Sequence, residues 1–223
     1  MANATDDTRT RLLEAAGEVF AEKGFRAATV RDICGRADAN LAAVNYHFGD
    51  KLKLYVEVVQ HAQGDGGHHP PPEFPPGTPP EVKLREYVHQ MLSRLLDPRR
   101  PAWHAQLMTR EMTEPTEACV AVVEKFIRGN FQWLDAVLCE LLPEGISAAD
   151  RHLVAFSIVG QCLHFKIHRP IAVLLVGEEE YETFDVARLT DHIVRFSLAA
   201  LGHERPLGET IDSPSRSSAA VRP

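Results

Sequence analysis

The sequence predicts an all-α protein of two helical blocks, and three observations carry that prediction. Apolar residues recur at helical spacings of three and four across residues 8–62 and again across 81–202. The intervening residues 63–80 contain the run GDGGHHPPPEFPPGTPP, whose prolines cannot continue a helix. No stretch of useful length alternates with the period of a strand.

The first block opens on a helix whose apolar stripe is Leu12, Leu13, Ala16, Val19 and Phe20. Gly24 is placed to end it, and Phe25 follows as an apolar anchor. Thr29 and Asp32 then stand at the spacing of a capping box, which starts a short helix over 30–37 with Ile33, Cys34 and Ala37 inward. Asp38 can take a left-handed backbone in the connection, and Asn40 can cap a second short helix over 41–48. That helix is expected to bury Leu41, Val44 and Phe48. It leaves Ala42, Ala43, Asn45, Tyr46 and His47 facing elsewhere. Two helices of about two turns with a tight bend fit a helix-turn-helix, and spacing alone fits a generic helical hairpin equally well.

The second block, 81–202, begins with Leu84, Tyr87, Val88, Met91 and Leu95 on one helical stripe. Pro98 to Pro101 ends it, and a short helix follows over 103–112. Pro115 stands where the first turn of a long helix tolerates it, and Cys119, Val122, Val123, Phe126, Trp133, Val137 and Leu141 mark that helix. Ser147 can cap the next, which runs to about His168 and is apolar around most of its circumference. The last helix, about 185–201, has two stripes: Val186, Leu189 and Ile193, and Val194, Leu198 and Leu201. Two apolar faces on each of these two helices suggest a core on one side and a second subunit on the other; two helices central to a monomeric bundle are the alternative. Residues 203–223, rich in Ser, Pro and charge, read as a disordered tail.

Composition narrows the function. The chain of 223 residues has net charge −7, divided as −1 over residues 1–62 and −6 over the rest. Neither part is basic, so any grip on nucleic acid rests on local placement of Arg26, Arg31, Arg36, Lys51 and Lys53. Cys34, Cys119, Cys139 and Cys162 lie far apart, without metal-finger spacing, and read as small buried apolar residues of a reducing compartment. The polar residues 1–11 lack a signal-type apolar segment, and the longest apolar run, 171–176, is far too short to span a membrane. A cytoplasmic location with no membrane partner is expected.

Residues 8–62 also carry a resemblance. LLEAAGEVFAEKGFRAATVRDI at 12–33 and NYHFGDKLKLY at 45–55 resemble the N-terminal domain of the tetracycline-repressor (TetR) family. AAVNYHFGDK at 42–51, and LMTREMTEPTEA at 107–118, resemble its CecR-like subgroup. The resemblance implies an N-terminal three-helix helix-turn-helix DNA-binding domain and a C-terminal helical domain that dimerises and binds a ligand. By position, the DNA-contacting roles fall on Thr29, Arg31, Asn40, Ala42, Ala43, Asn45, Tyr46, His47 and Lys51. Asp38 departs from the glycine usual in the turn, and Asn40 from the usual serine or threonine. The implied partners are a double-stranded DNA operator, a second copy of the chain and a small-molecule effector that releases a repressor.

Candidate effector contacts, chosen as aromatic or polar residues of the second block, are Trp103, His104, Met108, Arg110, Phe126, Asn130, Trp133, His164 and Phe165, with Glu111 beside them. Core packing suits the aromatics as well, and Arg110 and Glu111 suit surface ion pairs. His164 and His168 are four apart, but no third ligand accompanies them, so no metal or cofactor is expected. The motifs of a helical enzyme (GxSxG, a glycine-rich phosphate loop, HExxH) do not occur, and a dimeric adaptor is the remaining alternative.

Overall fold

The computed structural model describes residues 4–62 and 72–205, with the side chains of 4–6, 125 and 126 outside that description. Twelve α-helices are described, and no strand. His68 and His69, and the expected tail beyond residue 205, lie outside the described residues.

The first four helices are α1 (Ala4–Ala27), α2 (Val30–Ala37), α3 (Leu41–Phe48) and α4 (Lys51–Ala62). Gly24 interrupts α1 with φ 76°, ψ 164°, so the chain turns where the sequence predicts an end. The Thr29–Asp32 capping box forms in full: each residue's side chain accepts from the other's backbone N–H, at 3.1 and 3.0 Å. Asp38 adopts the left-handed conformation, φ 48°, and Asn40 Oδ1 accepts from Ala43 N–H at 2.9 Å. The departure from glycine in the turn therefore leaves its geometry intact.

The second part holds α5 (Pro80–Leu95), α6 (Ala102–Thr113), α7 (Cys119–Val122), α8 (Arg128–Leu141), α9 (Ala148–Ile167), α10 (Arg169–Val176), α11 (Glu178–Glu182) and α12 (Val186–Ala200). The long helix expected from Cys119 onward is α7 and α8 joined through a π-helical turn, Val123–Ile127. Pro115 lies in the preceding loop rather than in its first turn. Ser147 caps α9 as expected, accepting from Asp150 N–H at 3.0 Å. Pro170 does not end the helical region. It starts α10, whose first turn needs no N–H there.

Two apolar cores result. The first gathers Leu12, Val19, Phe20, Ile33, Val44, Leu54 and Val58 from α1–α4, and it is closed by Trp103 and Leu107 of α6 and Val122 of α7. The second joins α5, α8, α9 and α12 around Leu84, Leu92, Leu138, Ile158 and Ile193. Phe74, within the proline-rich stretch, packs against this second core. Both predicted stripes of α12 point into it: Leu189, Ile193, Val194 and Leu198 are buried, because α12 lies between α5 and α9. The two-stripe argument for a partner subunit thus fails on α12. Outward-facing apolar side chains are instead Phe196 of α12, Leu153 and Phe156 of α9, and Ile171, Leu174 and Leu175 of α10. Of the cysteines, Cys34 and Cys162 are buried as expected, with burial raising both thiol pKa values, Cys162 to about 12. Cys139 is exposed.

Gly17 of α1 meets the indole of Trp103. A Cβ there would lie 2.4 Å from the ring. Gly35 of α2 has no such neighbour within 4 Å. Replacing a mid-helix glycine by alanine ordinarily stabilises by up to about 1 kcal/mol. Gly35→Ala is expected to follow that rule, whereas Gly17→Ala loses about 1–3 kcal/mol through overpacking. Urea unfolding of the two variants checks the opposite signs.

Candidate DNA-reading surface and effector cavity

The exposed face of the first four helices is built from the end of α1, the start of α2 and most of α3. Val44 and Phe48 anchor α3 in the core, which turns Ala42, Asn45 and Tyr46 to solvent; Tyr46 is 78% exposed. His47 is half-buried and meets the Tyr46 ring edge-on at 5.0 Å. Ala43 is half-buried against the core. Leu41 is not buried as expected: it is 58% exposed, since Ala39 and Ala43 already cover the core beneath the first turn of α3.

The cations divide into two groups. Arg36 is held by both carboxylate oxygens of Glu22 at 2.9 Å, with Glu18 at 3.6 Å, and Lys53 pairs with Asp50 at 3.4 Å. Lys51 donates to the Arg26 carbonyl at 3.4 Å with its ammonium 4.7 Å from the Phe25 ring centroid, which fixes it at the α1 terminus. Arg26 and Arg31 are exposed and make no ion pair among the described residues. Asp32 is occupied by the Thr29 hydroxyl and backbone and by Lys23 at 3.0 Å, which together hold its carboxyl down to about 2. The free cations therefore stand at the end of α1 and the start of α2, while the Asp32 carboxylate is turned into a cap. A two-turn helix presenting small and amide side chains, with arginines at its flank, has the size and chemistry to enter a major groove and touch phosphates.

Behind this surface, α6 packs into the first core. Glu111 is 2% exposed and takes no part in a surface pair. It accepts from the Tyr55 hydroxyl of α4 at 2.5 Å and from Thr116 N–H at 2.9 Å. Burial, and then the adjacent carboxylate, push the Tyr55 phenol well above its ordinary pKa, so it stays a donor. Arg110 lies against Gly24, where a Cβ would come within 2.4 Å of its guanidinium. Trp103 packs into the first core and stacks on His61 at 6.2 Å between ring centroids.

The opposite side of α6 borders a cavity of about 310 Å³, walled also by α5, the π-helical turn, the start of α8, and α9. Of the predicted effector residues, His104, Met108 and Asn130 line it. Trp103 and Arg110 face the reading head instead, Trp133 packs edge-on to Tyr87 in the second core, and Phe165 packs toward Phe184. His164 is exposed and stacks on His168 at 5.0 Å. The side chain of Phe126 lies outside the described residues. Sequence reading missed Arg94, Arg100, Phe156 and Lys166 in the lining. Arg94 was within reach of it: it stands three residues after Met91 and seven after Tyr87, a charge on an apolar stripe. Among the described residues no group of three His, Cys, Asp or Glu side chains could hold a metal, and no helix is long and apolar enough to cross a membrane.

Comparison with known proteins agrees with this geometry. Residues 12–58 match the family model "Bacterial regulatory proteins, tetR family", and residues 80–201 match "HTH-type transcriptional dual regulator CecR, C-terminal domain". The chain belongs to the TetR family of bacterial regulatory proteins, with a C-terminal domain of the CecR type. Over 184 residues it is 25% identical to the HTH-type transcriptional dual regulator CecR of Shigella flexneri, covering 77% of this chain and 81% of that one. Over 60 residues it is 37% identical to the HTH-type transcriptional repressor NicS of Pseudomonas putida, covering 27% of this chain and 28% of that relative. Among solved structures, the transcriptional regulator FadR from Bacillus subtilis, in complex with stearoyl-CoA, superposes with a TM-score of 0.55 at 15% identity, covering 85% of this chain and 97% of that one. These relatives are transcriptional regulators, not enzymes.

Removing the Tyr55 hydroxyl leaves the buried Glu111 carboxylate short of a donor. Tyr55→Phe is therefore expected to cost about 1–3 kcal/mol in urea unfolding, although only one oxygen is lost and the ring packing is kept. Phe20→Tyr, which adds a hydroxyl to the same aromatic cluster without a carboxylate to meet it, is expected to destabilise as well.

Proposed function

We propose that this chain is a cytoplasmic transcriptional repressor that binds a palindromic DNA operator as a homodimer and is released by a small molecule in the α5–α9 cavity. The observation that carries the reading is the exposure of Asn45 and Tyr46 on a helix anchored by Val44 and Phe48, with Arg26 at the end of α1 and Arg31 at the start of α2 exposed and without an ion pair among the described residues. Asn45 would read a base edge. Tyr46, His47, Thr29, Arg31 and Lys51 would contact the phosphate backbone, while Ala42 and Ala43 allow close approach.

A single two-turn helix gives little affinity, so two copies must act together. The outward apolar side chains of α9 and α12, Leu153, Phe156 and Phe196, suit burial against a second copy. That symmetric pair would hold its two α3 helices about one duplex turn apart, roughly 34–36 Å. A ligand in the cavity presses on α6, and α6 holds α4 and α1 through Tyr55 and Gly24. Filling the cavity then favours a spacing at which the second half-site is lost. FadR, whose fold is shared, is a regulator solved with stearoyl-CoA bound, which supports a ligand-responsive reading.

Fluorescence anisotropy with duplex DNA flanking the chain's own gene tests the proposal at two salt concentrations. Binding is expected to be specific over scrambled DNA and to weaken steeply with salt. Asn45→Ala should cost about 1–3 kcal/mol and relax specificity, whereas Arg31→Ala should weaken all sequences alike and flatten the salt slope. Absence of specific binding, or retention of it in Asn45→Ala combined with Tyr46→Ala, would contradict the reading. Leu153→Glu with Phe196→Glu should yield monomers by sedimentation and lose operator affinity with them.

A further inference from the structure

The charge inside the cavity is unlike the charge outside it. The chain as a whole carries 31 acidic and 24 basic residues. Yet Arg94, Arg100 and Lys166 line the cavity, and among the described residues no aspartate or glutamate does. Elsewhere Arg151, also half-buried, is held by Asp135 at 2.6 Å. Arg94 and Lys166 make no ion pair among the described residues. Arg100 donates to the Ala62 carbonyl at 3.3 Å, at the end of α4. A desolvated cation without a counter-charge is costly unless something else supplies the charge.

His104 sharpens the point. It is only 8% exposed, borders the same cavity, and neither ring nitrogen has a hydrogen-bond partner. Burial, then the nearby His61, hold it toward the neutral form. A neutral imidazole offers one N–H donor, so it can bond an anion without being charged itself. Arg94, Arg100 and His104 line the same cavity. The remaining wall is apolar: Met91, Met108, Phe131, Phe156, Val159 and Leu163.

We infer that the cavity takes an apolar-bodied anion, with a carboxylate or phosphate head bonded by Arg94, Arg100 and His104 and a hydrocarbon body lying along α9. Lys166 adds to the positive field from the α9 wall. The inference rests on the cavity being the effector site, and it adds the charge and shape of the occupant. Arg94 and Lys166, without an ion pair among the described residues, and His104, without a hydrogen-bond partner, are groups such an anion would satisfy, and the methionines can repack around bodies of different shape.

Calorimetric titration of the full chain with a matched set of ten-carbon probes tests it: decanoate, decyl phosphate, decanol and decylamine. One or both anions should bind at least about ten-fold more tightly than decanol, and decylamine should bind most weakly. Arg94→Met should remove about ten-fold of the anion's affinity while leaving decanol within about two-fold, which also reports that the cavity is intact. Lys166→Met, on a different helix, should reduce the same preference by a smaller factor and serves if Arg94→Met does not fold. Equal binding of decanol and the anions, no binding of either anion up to about 1 mM, or an unchanged preference in the folded variants would overturn the inference. Operator anisotropy on the same samples separates the two readings. Anion binding without DNA release leaves the ligand class standing and removes the release mechanism. Release by decanol but not by the anions does the reverse.

Discussion

Helix α6 is the element on which the rest depends, because one side of it completes the first core while the other borders the cavity. Trp103, Leu107 and Glu111 recur at intervals of four along its length and complete the packing of the first four helices. His104, Met108 and Thr109 occupy the other side and border the cavity. A helix of 12 residues cannot rotate or slide without changing both surfaces. Interiors are close-packed, so the change is transmitted rather than absorbed. Where a softer joint might have been built from apolar contacts alone, the Glu111 carboxylate fixes the register: its bonds to Tyr55 and Thr116 have no solvent to replace them.

Electrostatics in this chain is a matter of placement. An acidic protein binds an anionic polymer poorly in general, and the net charge of −7 states that problem plainly. The structure answers it locally. Acids of α1 and α2 are engaged by Arg36, Lys23 and the α2 cap, while Arg26 and Arg31, at the end of α1 and the start of α2, are left to solvent. The same placement recurs in the cavity, where Arg94 and Lys166 make no ion pair among the described residues. Both features are invisible in a sum of charges and follow only from which partners each side chain reaches.

What was legible in the sequence is what is local. Thr29 with Asp32, Asp38 in the turn, Asn40 before α3 and Ser147 before α9 act over three or four residues, and each forms as read. The inward residues Ile33, Val44 and Phe48 follow from helical period alone. Leu41 failed because a first-turn residue has no preceding turn to lean on, and two alanines filled its place. Glu111 and Trp103 failed because their partners, Tyr55 and Gly17, lie tens of residues away. Both stripes of α12 were seen, but periodicity reports a face as apolar without saying what covers it. The π-helical turn carried no sequence signal, and it sits between Val122, which packs in the first core, and Trp133, which packs in the second. Of the candidate effector residues, the three that reach the cavity are mixed with aromatics that were needed for packing, a distinction composition does not draw.

The shared core makes one demand that can be met or refused outright. If α6 and α7 are part of the reading head, residues 1–71 alone lack Trp103, Leu107 and Val122 from their interior and should show no cooperative unfolding. Comparing urea unfolding of that fragment with the intact chain, by circular dichroism, measures this directly. A weak, non-cooperative transition in the fragment is the predicted result. A fragment that unfolds cooperatively at the midpoint of the intact chain would contradict the account, since its DNA-reading surface would then owe nothing to the helix that borders the cavity.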